Sequence, residues 1–224
     1  MQTIQLHGRG PHSGQPARLN GTPLEQARVG MVLVHGRGAS AADILNLAEV
    51  WQTSGMVYLA PQAAGSSWYP NRFVAPIDHN QPYLDSALET IGQAIEFFLA
   101  GGLPMEQIFL LGFSQGACLA LEFAARHPQR YGGLFGLSGG LIGPPGTIWP
   151  TGGSLDNTPV FLGCSTTDPH IPAWRVQESA EVFARLGGQV TTRLYAGMGH
   201  SINQDELDFV QGVIERALDN IASI

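Results

Sequence analysis

Short, continuous apolar runs alternate with longer amphipathic stretches through most of this chain. The run Val29–His35 (VGMVLVH) stops at Gly36-Arg37-Gly38, the pattern of a strand buried on both faces and followed by a turn. Ser40 is placed to cap a helix, with Asp43 at its third position. Apolar residues at Ile44, Leu47 and Val50 carry that helix to about Trp51. Met56–Ala60 predicts a second strand, stopped by Pro61. Pro82 opens a long helix in which Leu84, Leu88, Ile91, Ile95 and Phe98 keep the helical period until Gly101-Gly102 ends it. Further strands are predicted at Ile108–Gly112, Gly133–Leu137, Pro159–Cys164 and Gln189–Tyr195. The intervening helices are predicted at Gln115–His127, Pro172–Leu186 and Gln204–Asn220.

Strands alternating with helices of ten or more residues predict an α/β fold, a mostly parallel sheet covered by helices on both faces. Sites in such sheets lie beyond the carboxyl ends of the strands. Two loop-like stretches, Gln62–Gln81 and Leu141–Asn157, follow strands and are therefore expected on that face. Residues 1–28, rich in Gly, Pro and polar groups, predict an irregular or hairpin entry to the fold. No internal repeat or long linker divides the sequence, so residues 1–224 read as a single domain.

Composition narrows the function classes. Charged residues make up only 13% of the chain and apolar ones 44%, which excludes a disordered protein or a coiled coil. A net charge of −7 disfavours nucleic acid and anionic membranes as partners. All 11 basic residues are Arg, so mechanisms that require a lysine are excluded, among them the phosphate-binding P-loop, Schiff-base chemistry and Ser–Lys hydrolysis. No apolar stretch reaches 18 residues and the first residues contain no secretory apolar core, so the expected location is the cytoplasm. Cys118 and Cys164 sit in apolar surroundings and read as buried thiols. No histidines show metal-ligand spacing, no metal or cofactor is called for, and His7 and His12 read as surface residues.

The informative segment is Gly112-Phe113-Ser114-Gln115-Gly116, a G-x-S-x-G between a predicted strand and a predicted helix. A serine on a sharp strand-to-helix turn projects its hydroxyl above the sheet, and the flanking glycines remove the collisions such a turn creates. The backbone N–H of Gln115 then points toward a developing negative charge. A second match, Gly136-Leu137-Ser138-Gly139-Gly140, is followed by Leu-Ile-Gly-Pro-Pro-Gly, which cannot form a helix, so Ser114 is preferred over Ser138.

A serine nucleophile needs a base, and the base needs an acid to orient it. With such an elbow the expected chain order is Ser, Asp or Glu, then His. Asp168 follows the strand ending at Cys164, and His200 follows the strand ending at Tyr195. His127 reads as a helix C-cap, and Asp205 and Asp208 as helix-opening carboxylates. His170, close to Asp168, could line the site.

Taken in order, His35-Gly36-Arg37-Gly38, Trp68-Tyr69, Gly112–Ala117, Asp168-Pro169-His170-Ile171-Pro172 and Gly199-His200 resemble the phospholipase/carboxylesterase family of α/β-hydrolases. That family includes acyl-protein thioesterases and small bacterial carboxylesterases. The resemblance covers about Val29 to the C-terminus. It implies a compact α/β-hydrolase with little or no lid, a triad of Ser114, Asp168 and His200, and an oxyanion hole from the backbone N–H groups of Arg37 and Gln115. The chain departs from acyl-protein thioesterases in two places. Ala39-Ser40 replaces an acidic residue after the H-G-x-G loop, and Pro70-Asn71-Arg72-Phe73 stands where they usually carry an aspartate. Both departures point away from protein depalmitoylation and toward a carboxylesterase with its own substrate.

The expected activity is therefore serine hydrolysis of a small-molecule carboxylic ester, with thioesters and lysophospholipids as related substrates. An apolar pocket is expected from Trp68, Tyr69, Phe73, Ile148, Trp149 and Met198 in the surrounding loops. Two alternatives stay open: a catalytically silent fold that binds ligands, and hydrolysis of another bond type. Oligomeric state, a homodimer included, is left open as well.

Overall fold

The computed structural model of the chain describes residues 2–51, 53–149 and 152–222. Its centre is an eight-stranded sheet made of β1 (Gln2–Gln5), β2 (Pro16–Gly21), β3 (Val29–Val34), β4 (Met56–Pro61), β5 (Ile108–Phe113), β6 (Gly133–Leu137), β7 (Pro159–Ser165) and β8 (Gln189–Tyr195). The spatial order is β1-β2-β4-β3-β5-β6-β7-β8. β1 and β2 form an antiparallel hairpin that joins β4 antiparallel; every other pairing is parallel. The hairpin lies within the entry segment, from Gln2 to Gly21.

Helices cover both faces: α1 (Ala41–Leu45), α2 (Leu47–Trp51), α3 (Tyr83–Ala100), α4 (Gln115–Arg126), α5 (Ala173–Arg185) and α6 (Gln204–Ala222). The continuous apolar runs are explained by this burial. Successive side chains of a strand point to opposite faces, so in β3 Val32 and Val34 pack with Leu88 and Ile91 of α3 and Leu119 of α4. Val29, Met31 and Leu33 pack instead with Ile44 of α1 and Val210 and Ile214 of α6. The expected helix from Ser40 to Trp51 is two short helices. Ser40 and Asp43 form a reciprocal cap as the sequence suggests, but Asn46 and Glu49 each bond to the carbonyl three residues back. That tighter turn interrupts the helix at Asn46. Among the described residues no helix is long and apolar enough to cross a membrane.

His12 is not a surface histidine. It is buried, Ala64 N–H donates to its Nδ1 at 3.0 Å, and its Nε2–H donates to the Trp68 carbonyl at 2.8 Å. Burial lowers its pKa, opposed in part by backbone bonds to Trp68 and Tyr83. A neutral imidazole therefore ties the entry segment to the loop that borders the site.

The start of α6 holds a second buried ionisable group. Asn203 and Glu206 cap one another: Glu206 N–H donates to Asn203 Oδ1 at 3.0 Å, and Asn203 N–H donates to Glu206 Oε2 at 2.9 Å. Glu206 is fully buried, and its Oε1 lies over Gly163 of β7 without a hydrogen-bond partner among the described residues. Burial pushes its carboxyl up to about 7; the Asn203 amide opposes this and Asp205 adds to it. The folded chain thus holds this proton more tightly than the unfolded chain. The group's contribution is fully present below its ordinary value of 4.5 and is lost as pH rises toward 7. The loss is on the order of 3 kcal/mol. Glu206→Gln keeps the neutral form at all pH values. Urea unfolding at pH 5 and pH 8 should show the variant gaining on wild type at the higher pH, and parallel stabilities at both would contradict this.

Candidate active site

Ser114 occupies the single residue between β5 and α4, at φ 56° and ψ −120°. This left-handed conformation is costly for a serine, on the order of 1–3 kcal/mol. The turn exists because its neighbours are glycines. A methyl group at Gly112 would overlap the Gly116 carbonyl, and one at Gly116 would overlap the Val34 carbonyl of β3. Both obstacles are backbone atoms that cannot rotate away. The turn is also bonded on either side, Ser114 N–H to Leu137 O and Cys118 N–H to Ser114 O, each at 3.0 Å.

The three residues singled out from strand ends meet here. His200 Nε2 lies 2.8 Å from Ser114 Oγ, and His200 Nδ1 lies 2.7 Å from Asp168 Oδ2. The Asp168 side chain is fully buried. Its other oxygen accepts the His170 and Ile171 amides at 2.8 and 2.9 Å. Burial alone would raise the Asp168 carboxyl, but the bond from His200 and the two amides together hold it below the ordinary carboxylate value. It therefore stays ionised, with one oxygen fixed by backbone and the other free to hold the imidazole. The His200 ring packs against Phe113 and, edge to face at 4.8 Å, against His170.

A cavity of about 650 Å³ opens over Ser114. Arg37, Gln115 and His200 line it with Tyr69, Phe73, Cys118 and Ile171. The Gln115 amide is the first N–H of α4, a position without an intrahelical acceptor. Neither the Arg37 nor the Gln115 amide makes a hydrogen bond among the described residues.

Of the expected pocket residues, Tyr69 and Phe73 line the cavity; Trp68, Trp149, Ile148 and Met198 do not. Trp68 is fully buried, and its indole N–H donates to the His35 carbonyl at 2.8 Å. It fixes the end of β3. Trp149 donates to buried Glu122 at 3.2 Å and lies under the Arg175 guanidinium. Ile148 is 92% exposed. Met198 packs in the His200 loop, where its sulfur accepts from Asn203.

Ser138, the rejected second match, shares the left-handed backbone with φ 51°. It is fully buried, begins no helix, and its Oγ lies 3.4 Å from the Ser201 carbonyl. His127 is a C-cap, bonded to Phe123 O at 3.0 Å.

Three contributions escaped the sequence reading. The Gln115 side chain accepts from Trp68 N–H at 2.9 Å and donates to Tyr69 O at 2.8 Å. The Arg37 guanidinium binds the carbonyls of Tyr69, Pro70 and Asn71. Buried Arg175 binds the carbonyls of Leu141 and Gly143. All three clamp loops through carbonyl oxygens, and nothing in local sequence marks such partners. Among the described residues, no cluster of three His, Cys, Asp or Glu side chains could hold a metal ion.

Gly116→Ala tests the steric basis of the turn. Overpacking against fixed backbone should cost about 3 kcal/mol or prevent folding, and an unchanged thermal midpoint would contradict it.

The family described as Phospholipase/Carboxylesterase matches residues 22–218. Acyl-protein thioesterase 1 of Eremothecium gossypii is 29% identical, over 87% of this chain and 90% of its own length. Acyl-protein thioesterase 1 of Saccharomyces cerevisiae is 31% identical, over 68% of this chain and 66% of its own. The crystal structure of a phospholipase/carboxylesterase from Dyadobacter fermentans superposes with a TM-score of 0.87 at 42% identity, covering 92% of this chain and 99% of that one. The chain belongs to the phospholipase/carboxylesterase family of α/β-hydrolases, and it is a serine hydrolase of the ester-cleaving type.

Proposed function

We propose that this enzyme hydrolyses small carboxylic esters through an acyl-enzyme on Ser114. The observation that carries the reading is the unbroken chain from Ser114 Oγ through the His200 ring to the Asp168 carboxylate, with both links under 2.9 Å. Ser114 attacks the acyl carbonyl while His200 Nε2 takes its proton. Asp168 holds Nδ1 protonated, so that Nε2 is the free base, and stabilises the imidazolium that forms. The Arg37 and Gln115 amides receive the oxyanion. His200 then passes the proton to the leaving alcohol, and water repeats the sequence on the acyl-enzyme to release the acid. The chemistry draws on side chains and backbone alone and calls for no cofactor.

Tyr69 and Phe73, with Ile171, give the cavity an apolar wall suited to an acyl or alcohol group. The similarity to acyl-protein thioesterases extends the reading to thioesters as a related substrate class. The departures at Ala39-Ser40 and Pro70-Asn71-Arg72-Phe73 favour a small dissolved ester over a lipidated protein. The two free, buried thiols fit a cytoplasmic setting.

A p-nitrophenyl ester series from C2 to C16 tests the activity. Ser114→Ala should lose at least roughly 10³-fold in kcat, whereas Ser138→Ala should keep wild-type turnover. Loss in Ser138→Ala with turnover retained in Ser114→Ala would overturn the assignment. Asp168→Asn should lose roughly 10³–10⁴-fold in kcat. Because the Asp168 carboxyl is held below its ordinary value, its bonds favour the fold above the ordinary carboxylate range and are lost only as pH falls through that lowered value. Wild type should therefore lose stability relative to Asp168→Asn on acidification. A constant difference between the two down to pH 3 would argue against an ionised Asp168.

A further inference from the structure

The cavity over Ser114 has an uneven charge. Its lining includes Arg37 and Arg72 but no Asp or Glu, in a chain whose net charge is −7. The two arginines differ in what they do. The Arg37 guanidinium is spent on the carbonyls of Tyr69, Pro70 and Asn71, at 2.8 to 2.9 Å. The Arg72 guanidinium has no hydrogen bond or ion pair among the described residues.

Arg72 is exposed, yet it stands on a segment fixed from several sides. Its own carbonyl accepts from Asn80 Nδ2 at 3.3 Å and from the Ala75 amide at 3.0 Å. The preceding residue is held by Asn71 N–H to Asn80 Oδ1 at 2.9 Å and by Asn71 Nδ2 to the His79 carbonyl at 2.7 Å. On the other side, the Phe73 carbonyl accepts from Gly143 N–H at 2.8 Å. Asn80, the hub of these bonds, is fully buried. A long cationic side chain is thus presented at the cavity from a rigid backbone, which lowers the ordering cost of engaging a ligand.

We propose that Arg72 is the specificity-determining residue of an anion subsite, and that the natural substrate is an ester carrying a carboxylate or similar anionic group away from the scissile bond. A guanidinium matches a carboxylate with two parallel N–H donors. This deepens the ester-hydrolase reading and rests on it for turnover.

Matched ester pairs test the subsite. On the acyl side, the 4-nitrophenyl monoester of glutaric acid is compared with neutral 4-nitrophenyl butyrate. On the alcohol side, 4-acetoxybenzoate is compared with its neutral methyl ester. In at least one pair, wild type should favour the anionic member in kcat/KM. Arg72→Gln should lower that anionic-to-neutral ratio by at least about tenfold. Arg72→Glu should lower it further, Arg72→Lys should restore part of it, and added salt should shrink the wild-type preference. The pair that responds tells which side of the ester carries the charge. Ratios unmoved by Arg72→Gln in both pairs would overturn the proposal.

If wild type turns over none of the four esters, the hydrolase reading fails instead. Calorimetric titration with glutarate and with 4-hydroxybenzoate needs no turnover and still decides the subsite. At least one acid should bind wild type about tenfold more tightly than Arg72→Gln, and equal affinity for both acids would reject it.

Discussion

The structure turns on one strained residue. Ser114 is held in the left-handed region by β5 entering and α4 leaving its turn, and the crossing is so tight that backbone carbonyls fill the space where side chains at Gly112 and Gly116 would stand. This conformation places the hydroxyl above the sheet, within 2.8 Å of His200 Nε2. It also leaves the first amide of α4 open beside the same hydroxyl. The parallel sheet supplies the rigidity that keeps the turn from relaxing, because β5 is paired on both edges, with β3 and with β6.

Around that point the remaining parts are positioned by strand ends. β7 delivers Asp168, β8 leads into the loop carrying His200, and β3 delivers Arg37, so residues far apart in the chain converge on one face. Loops that would otherwise be loose are fixed through their backbone, by the side chains of Gln115 and Arg37 at residues 68–71 and by Arg175 at residues 141–143. Buried His12 and Trp68 extend the same support outward, to the entry hairpin and to the end of β3. A rigid frame of this kind suits electrostatic stabilisation, since donors already in place need no reorganisation as charge develops.

What the sequence made legible was what local sterics or periodicity dictate. The G-x-S-x-G turn is a constraint of five consecutive residues, and the strand and helix pattern follows from which faces are buried. Asp168 and His200 were legible because each follows a recognisable strand in the expected order. The misreadings at His12, Trp68 and Trp149 have a common physical cause in distant partners. His12 is buried by residues more than 50 positions away. Trp68 and Trp149 pack into the body of the protein, which their place in Gly- and Pro-rich loops did not reveal. The break at Asn46 depends on which carbonyl an amide selects, a choice between nearly equal geometries.

The central claim is that Ser114 carries an activated hydroxyl. The most direct test treats wild-type protein with a fluorophosphonate and maps the adduct by peptide mass spectrometry, alongside His200→Ala. The account predicts a single modification on the peptide containing Ser114, abolished when the imidazole is removed. An adduct on Ser138, or labelling of Ser114 that persists without His200, would contradict it.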